Sequence, residues 1–285
     1  MKNITIPEEI TRISQGSFED CSNLNNIFIP KTVTEIEDRT FNRCTNLTNI
    51  IIPEGVTSIG SSAFNECSNL TNIIIPEGVT SIGSFAFNEC SSLTNITIPK
   101  GVNNIGEYAF NKCSNLQTIN VDINNKNYMS DNGILFNKAK TVLIKYPINK
   151  KDVKEYTIPN SVKTIGDYAF ERCNNLTKIK MSEEVTTIGK STFTECAKLE
   201  SINLSNKIIK IERETFEGCK ELRELNIPES IKEIDFRAFG ECNSLINITI
   251  PKNVIVIKEE VFNKCENLRN VTILGEIESI ESSAF

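Results

Sequence analysis

The sequence predicts a solenoid in which short, nearly identical repeats stack along one axis. All ten cysteines follow a 23-residue step, in two runs of five that start at Cys21 and at Cys173. A phenylalanine lies three residues before each cysteine, and a leucine lies three residues after it. A fixed period of about 20 to 50 residues is typical of solenoids and related arrays, in which each unit contacts only its neighbours.

The first half of a repeat, taken from residues 70–92, reads as a short strand and a turn. The β-branched run Ile73-Ile74-Ile75 favours a strand, and Pro76 ends it because proline has no N–H to donate to a ladder. A turn is expected at Glu77-Gly78. Parallel stacking of such strands would build a continuous ladder.

The second half of the repeat returns apolar side chains to the core. Val79 and Ile82 are expected to point inward, and Gly83 is expected to close this segment in a backbone conformation that suits glycine. Phe87 and Cys90 are three residues apart, as on one face of a short helical turn, so both are expected to be buried. Charged residues replace the glycine in several other repeats: Glu37, Glu212, Asp235, Lys258 and Glu281.

The pattern Leu-x-x-Ile-x-Ile-Pro-x-x-Val-x-x-Ile-Gly-x-x-Ala-Phe-x-x-Cys resembles the BspA-type leucine-rich repeat over nearly the whole chain. This resemblance implies a leucine-rich-repeat solenoid: a curved, right-handed array of about 12 repeats with a parallel β-sheet on its concave face. Members of that family are mostly surface or secreted proteins of bacteria and some parasitic protists, and several are implicated in adhesion to host proteins. The Ile-Pro pair is lost at Met181-Ser182, Leu204-Ser205 and Leu274-Gly275, which leaves the strand ends there open.

One insert interrupts the array, because the step from Cys113 to Cys173 is 60 residues. Residues 133–136 and 142–146 are strand-like and predict a β-hairpin, and the stretch around them is similar to an insert of BspA-like proteins. We therefore expect a single domain at 1–285, divided into N-terminal repeats (1–116), a hairpin-containing insert (117–157) and C-terminal repeats (158–285). The insert carries seven lysines and four acids, which suits either a contact site or a solvated connection between the two arrays.

The ten cysteines are predicted to be core thiols. The chain has no Cys-x-x-Cys pair and no histidine, and every cysteine occupies the same place in its repeat. Free cysteine behaves as a small buried hydrophobic residue. Disulfides between some of the cysteines and a metal site are the alternatives, and we expect no metal and no cofactor.

Composition argues against two classes of partner. The net charge of −6 disfavours nucleic acid, which requires a basic surface, and it disfavours anionic membranes in the same way. No apolar run is long enough to span a bilayer, and the N-terminus has no signal-peptide core. The chain begins and ends within a repeat, so it is expected to be an excerpt of a longer protein whose signal and anchor were removed.

The outward face of the strands offers the best candidate binding surface. Residues between the inward Leu and Ile columns face outward, and in the column beside proline three consecutive members are apolar. An exposed apolar stripe of Phe28, Ile51 and Ile74 is therefore predicted. A column of amides flanks it: Asn26, Asn49, Asn72 and Asn95. The alternative interpretation is strand propensity and packing between neighbouring strands.

Catalysis is disfavoured, because a chain without histidine has no imidazole base and no Ser-His or Cys-His pair. Glu66, Glu89 and Glu195 recur at the repeat period, which is typical of solvated turn residues. We expect a non-catalytic module that binds a host or neighbouring-cell protein, placed at the cell surface or secreted by family resemblance. An intracellular scaffold in the cytoplasm is the alternative, and self-assembly of an otherwise monomeric protein by end-to-end stacking is the second.

Overall fold

The computed structural model describes residues 2–285, which form strands and turns without a helix in this range. These residues cluster into two compact units. Unit 1 comprises residues 2–138 with Pro147–Asn149, and unit 2 comprises Ala139–Tyr146 with Lys150–Phe285. The boundary falls inside the predicted insert, and the organisation of residues 1–285 as a single domain stays a prediction.

Unit 1 is built from longer strands that follow each leucine and from shorter strands that follow each Pro-containing turn. The strands are β1 (Asn3–Thr5), β2 (Asn26–Phe28), β3 (Glu35–Ile36), β4 (Asn49–Ile51), β5 (Ser58–Ile59), β6 (Asn72–Ile74), β7 (Ser81–Ile82), β8 (Asn95–Ile98), β9 (Asn104–Ile105), β10 (Thr118–Val121), β11 (Tyr128–Asp131) and β12 (Ile134–Asn137).

The repeat strands of unit 1 form two parallel ladders. The longer strands pair as β1–β2, β4–β6 and β8–β10, and the shorter strands form the sheet β3–β5–β7–β9. Each residue pairs with the residue 23 positions away, as Ile51 does with Ile74. One sequence period therefore equals one turn of the solenoid, and the predicted parallel ladder is confirmed.

Unit 2 repeats this arrangement. Its strands are β13 (Val142–Lys145), β14 (Glu155–Thr157), β15 (Thr164–Ile165), β16 (Lys178–Lys180), β17 (Thr187–Ile188), β18 (Ser201–Asn203), β19 (Lys210–Ile211), β20 (Glu233–Ile234), β21 (Asn247–Ile250), β22 (Val256–Ile257), β23 (Asn270–Ile273) and β24 (Ser279–Ile280).

The longer strands of unit 2 pair as β14–β16–β18 and β21–β23, and β13 pairs in parallel with β15. One rung lies between β18 and β21, where Glu224 forms a single bridge to Ser201 and no strand is present. With that rung included, each unit has six rungs of the longer ladder. The chain thus forms a β-solenoid of about twelve turns, as predicted.

Stacked phenylalanine rings run through the core of each unit. Consecutive rings from Phe18 to Phe110 in unit 1 have centroids 5.4–5.9 Å apart, and those from Phe170 to Phe285 in unit 2 have centroids 5.3–5.5 Å apart. Tyr146 precedes the second stack, with its ring 5.1 Å from that of Phe170. Offset aromatic pairs add stabilisation beyond the area they bury.

The cysteines form a second internal column. All ten are free, eight are buried, and only Cys21 and Cys265 at the ends are partly exposed. In eight repeats the thiol donates to the carbonyl of the phenylalanine in the preceding repeat, as Cys90 Sγ does to Phe64 O at 3.1 Å. Cys21 and Cys173, which begin the two runs, do not form this bond. The prediction of core thiols is confirmed for the eight buried cysteines.

Alkylation of the native protein is expected to be confined to the ends of the cysteine column. Burial disfavours the thiolate, which is the reactive form, so it raises the pKa of Cys90 well above its usual value and that of Cys265 to about 11. At pH 8, iodoacetamide should therefore modify Cys21 first and the eight buried thiols only as repeats open. Peptide mapping by mass spectrometry measures each rate, and the protein in guanidinium is the control. Rapid labelling of several buried cysteines would contradict this structure.

The segment between Gly83 and Cys90 is not the helical turn that the sequence predicts. It is a chain of β-turns, in which Cys90 N–H donates to Phe87 O at 3.3 Å, while Phe87 N–H donates to Ala109 O of the next repeat at 2.9 Å. Phe87 and Cys90 are both fully buried, as predicted. The three-residue spacing defines the buried face correctly, but a β-turn meets it as well as a helix does.

These turns require left-handed backbone conformations in every repeat. Positive φ angles recur at two places, one and five residues before each cysteine, and glycine supplies only Gly16 and Gly218 among them. The others are ordinary residues such as Phe85 and Glu89, with φ near 58°. A left-handed residue costs about 1–2 kcal/mol. Its N–H donates to the following repeat, as Phe85 N–H does to Glu107 O at 2.9 Å, so lateral hydrogen bonds offset the strain.

Gly83 is required by close packing rather than by its own φ angle. A Cβ atom placed there would lie 2.4 Å from the backbone nitrogen of Ser61 in the preceding repeat. The expectation that Gly83 adopts a backbone conformation that suits glycine is wrong, since its φ is not in the left-handed range. In the last four repeats of unit 2 the same column carries charged side chains, and these form lateral ion pairs such as Lys258 Nζ to Asp235 Oδ1 at 3.1 Å.

Serine replaces proline in two repeats without loss of the strand. β16 and β18 are three-residue strands like those of the Ile-Pro repeats. The hydroxyls of Ser182 and Ser205 accept from the N–H groups of Glu184 and Lys207, each at 3.1 Å. A side-chain turn thus takes the place of proline in closing the strand.

The insert contains an antiparallel hairpin, and both strand-like runs that the sequence predicts there are strands. β11 pairs antiparallel with β12, which overlaps the strand predicted at 133–136, and the turn is Asn132-Gly133. The run predicted at 142–146 is β13 of unit 2. Asn125 fixes the start of this hairpin: its Nδ2 donates to Pro99 O and Val102 O at 2.8 and 2.9 Å, and its Oδ1 accepts from two backbone N–H groups.

Candidate functional site

The predicted apolar stripe lies exposed on the longer ladder of unit 1. In β2, β4 and β6 the middle residue is buried and the flanking residues are exposed. Phe28, Ile51 and Ile74 are 49%, 81% and 72% exposed. Packing between neighbouring strands therefore leaves most of the Ile51 side chain in contact with water.

The three side chains occupy consecutive rungs. Ile51 and Ile74 are direct partners in the parallel register, and β2 is the neighbour of β4. Neighbouring strands are about 4.8 Å apart, so the stripe extends about 10 Å along the ladder. An exposed apolar patch with a polar rim is typical of interaction sites, so this stripe is a candidate for one.

The amide column lies beside the stripe, and its members differ in whether their side chains form hydrogen bonds. Asn26 Nδ2 donates to Asn3 Oδ1 at 3.4 Å, and Asn95 Oδ1 accepts from Thr118 Oγ1 at 2.7 Å. The amides of Asn49 and Asn72, which flank Ile51 and Ile74, have no hydrogen-bond partner among residues 2–285. Their donors and acceptors are free to face a ligand.

This face of unit 1 carries no charge. The outward residues of its six longer strands are asparagine, threonine, phenylalanine and isoleucine. In unit 2 the corresponding strands present ionic groups, for example Lys180 beside Glu155 at 3.7 Å. The stripe therefore suits an uncharged, partly apolar partner surface, whose approach is not opposed by the acidic charge of the chain.

The recurring acids are ion-pair partners. Glu66 lies 3.3 Å from Arg43, Glu89 lies 3.0 Å from Lys112, and Glu195 lies 2.8 Å from Arg172. Each pair joins neighbouring repeats on the turn surface. Within residues 2–285, no group of three or more Cys, Asp or Glu side chains is arranged to hold a metal ion.

The basic character of the insert is smaller on the surface than in the sequence. Lys145 is only 4% exposed, and its ammonium group donates to Tyr168 O at 2.7 Å. Lys138 donates to Ile123 O at 3.1 Å. Two of the seven lysines thus hold backbone carbonyls, which favours a structural role for that part of the insert.

Comparison with models of protein families gives a match. A sequence model of the BspA type leucine rich repeat region matches in six copies, at residues 1–117, 36–157, 141–243 and 188–285. Comparison with curated proteins gives no match. No helix that could cross a membrane occurs in the described part of the chain.

Solved structures from three bacteria are similar. A leucine rich cell surface protein from Faecalibacterium prausnitzii is 31% identical with a TM-score of 0.72, over 96% of this chain and 88% of that one. The pneumococcal vaccine antigen PcpA is 26% identical with a TM-score of 0.85, over 100% and 79%. A leucine-rich repeat protein from Eubacterium ventriosum is 27% identical with a TM-score of 0.75, over 99% and 88%.

Proposed function

The chain belongs to the BspA-type leucine-rich repeat family, and from this we propose that it is a non-catalytic protein-binding module of a cell-surface or secreted protein. Leucine-rich repeat proteins typically act in protein interaction. Two of the similar structures are a cell surface protein and a vaccine antigen, which supports an adhesin-like contact with host or neighbouring-cell proteins. A solenoid suits this role because its outward residues vary while its core columns stay fixed.

The observation that carries the proposal is the stripe of Phe28, Ile51 and Ile74. Burial of one such side chain is worth about 1.5–3 kcal/mol, and interfaces typically depend on a few apolar anchors of this kind. The free amides of Asn49 and Asn72 would supply the polar rim. They would fix the orientation of the partner by hydrogen bonds, while the apolar stripe supplies most of the affinity.

Replacement of Phe28, Ile51 and Ile74 together by threonine is expected to weaken binding by at least about 10-fold, since a loss of 1.4 kcal/mol already has this effect. Threonine keeps the strand propensity and removes most of the apolar area. Biolayer interferometry against a panel of purified extracellular-matrix proteins would first identify a ligand and then measure the loss.

The matched control replaces Thr157, Thr249 and Thr272, which occupy the same column in unit 2, by serine. This control should bind as the unaltered protein does, and circular dichroism should show the same fold for all three proteins. An unchanged affinity of the Phe28/Ile51/Ile74 variant would exclude the stripe as the binding site.

A further inference from the structure

A second surface, in unit 2, has a different chemistry. Arg223, Ile246 and Arg269 occupy the same place on three consecutive repeats, four residues after their cysteines. With Ser244 and Asn267 they line one open cleft of about 380 Å³. In unit 1 the corresponding column carries small polar residues such as Thr48 and Thr71, so neither the charge nor the apolar centre is a property of the repeat itself.

The charges of these two arginines are not used in ion pairs within the part of the chain that the structure describes. Of its eight arginines, five form ion pairs with acidic side chains: Arg12, Arg43, Arg172, Arg213 and Arg237. Arg223 and Arg269 are exposed and have no acidic side chain within ion-pair distance among residues 2–285. Glu200, one rung before Arg223, forms no ion pair with it and ends the basic surface on that side.

An apolar side chain separates the two guanidinium groups. Ile246 is 46% exposed, and its backbone carbonyl accepts from Arg269 N–H at 2.9 Å, which places the two residues on adjacent rungs. The ladder is interrupted beside Arg223, where Glu224 forms only its bridge to Ser201. The cleft therefore presents positive, apolar and positive groups in a row, at steps of about 4.8 Å.

We propose that this cleft binds an acidic amphipathic helix of a protein partner. A helix rises about 1.5 Å per residue, so side chains at i, i+4 and i+7 lie about 0, 6 and 10.5 Å along its axis. Carboxylates at i and i+7 with leucine or isoleucine at i+4 match the spacing of Arg223, Ile246 and Arg269. Guanidinium groups bind carboxylates in a bidentate manner. The apolar face of an amphipathic helix docks into a groove through side chains at this spacing. This surface does not depend on the stripe of unit 1.

The test uses a fluorescein-labelled, alanine-based helical peptide with Glu at i and i+7 and Leu at i+4, titrated with the full chain in a fluorescence anisotropy assay. Saturable binding is expected in 50 mM NaCl, and it should weaken in 500 mM NaCl because exposed charges are screened. The double variant Arg223→Gln/Arg269→Gln should bind at least about 10-fold more weakly, and Ile246→Thr should also bind more weakly. Arg39→Gln, an exposed arginine of unit 1 without an ion pair, is the matched control and should bind unchanged.

Three outcomes of the peptide titrations would overturn the proposal. These are the absence of saturable binding at low salt, equal affinity of the double variant and the unaltered protein, and equal binding of a peptide in which lysine replaces both glutamates. A single-stranded DNA oligonucleotide that binds as tightly as the acidic peptide, and with the same dependence on Arg223 and Arg269, would show a general anion surface and would also overturn it.

Discussion

Replacement of Phe87 by alanine is expected to lower the free energy of unfolding by about 3–5 kcal/mol, the usual cost of removing a buried aromatic side chain. The ring is fully buried and stacks between Phe64 and Phe110, with centroid distances of 5.5 and 5.9 Å. Its loss leaves a cavity between the two neighbouring rings. These rings belong to repeats whose backbones are joined by the ladders, so they cannot move together to fill it.

The measurement is urea unfolding followed by circular dichroism. Phe85→Ala is the matched control, since Phe85 belongs to the same repeat but is 40% exposed and stacks only on Tyr108 at the surface. Its midpoint should shift much less. Phe18→Ala, at the partly exposed end of the stack, should also be milder than Phe87→Ala. Equal shifts for Phe85 and Phe87 would show that the internal stack does not carry the stability assigned to it.

Asn125→Asp is expected to detach the β11–β12 hairpin and to destabilise unit 1 by about 3–5 kcal/mol at pH 7. The side chain is 1% exposed and all four of its hydrogen-bonding positions are used. A carboxylate keeps the two bonds to the backbone N–H groups but faces the carbonyls of Pro99 and Val102 without a donor. An unsatisfied buried polar group costs about 1–3 kcal/mol, and a buried charge costs more.

The pH dependence of this variant has a defined sign. Burial raises the pKa of the new carboxyl above that of the unfolded chain, so protonation favours the folded state and the loss of stability should shrink as the pH falls toward 4. Hydrogen exchange of β11 and β12 reports the detachment. Asn124→Asp is the control, because the neighbouring side chain is exposed. Full protection of the hairpin in Asn125→Asp at pH 7 would contradict the role of this amide.

The columns of the fold could be predicted because stacking makes each column a repeated environment. Phe87 and Cys90 recur at one period, and only a shared core explains that. The prediction of a helical turn was wrong because it depended on a spacing of three residues, which a β-turn also satisfies. Left-handed residues such as Glu89 gave no signal, since their strain is offset by hydrogen bonds to the next repeat rather than avoided by glycine.

In the insert and the candidate site, features that depend on nearby residues in the sequence could be predicted, whereas features that depend on the neighbouring rung could not. Asn132-Gly133 is a strong hairpin signal, and it could have located the turn between β11 and β12. The outward stripe followed from the two-residue period of a strand, and the exposure of Ile51 is as predicted. By contrast, the free amides of Asn49 and Asn72 depend on which side chain lies one rung away, and the exposed arginines of unit 2 depend on the absence of acids there.

The fixed offset of the internal contacts has an evolutionary consequence. Each ring of a stack packs on the ring 23 residues away, eight of the ten thiols bond a carbonyl 26 residues away, and most left-handed N–H groups bond a carbonyl in the following repeat. A gene duplication of one period would therefore insert a rung that finds these same partners at once. In some repeats a glycine such as Gly83 packs against the backbone of the preceding repeat. These repeats would accept only a preceding repeat whose backbone follows the same path. Length could thus change by whole turns in a single genetic event, whereas a change in the order of the repeats would have to preserve these close contacts.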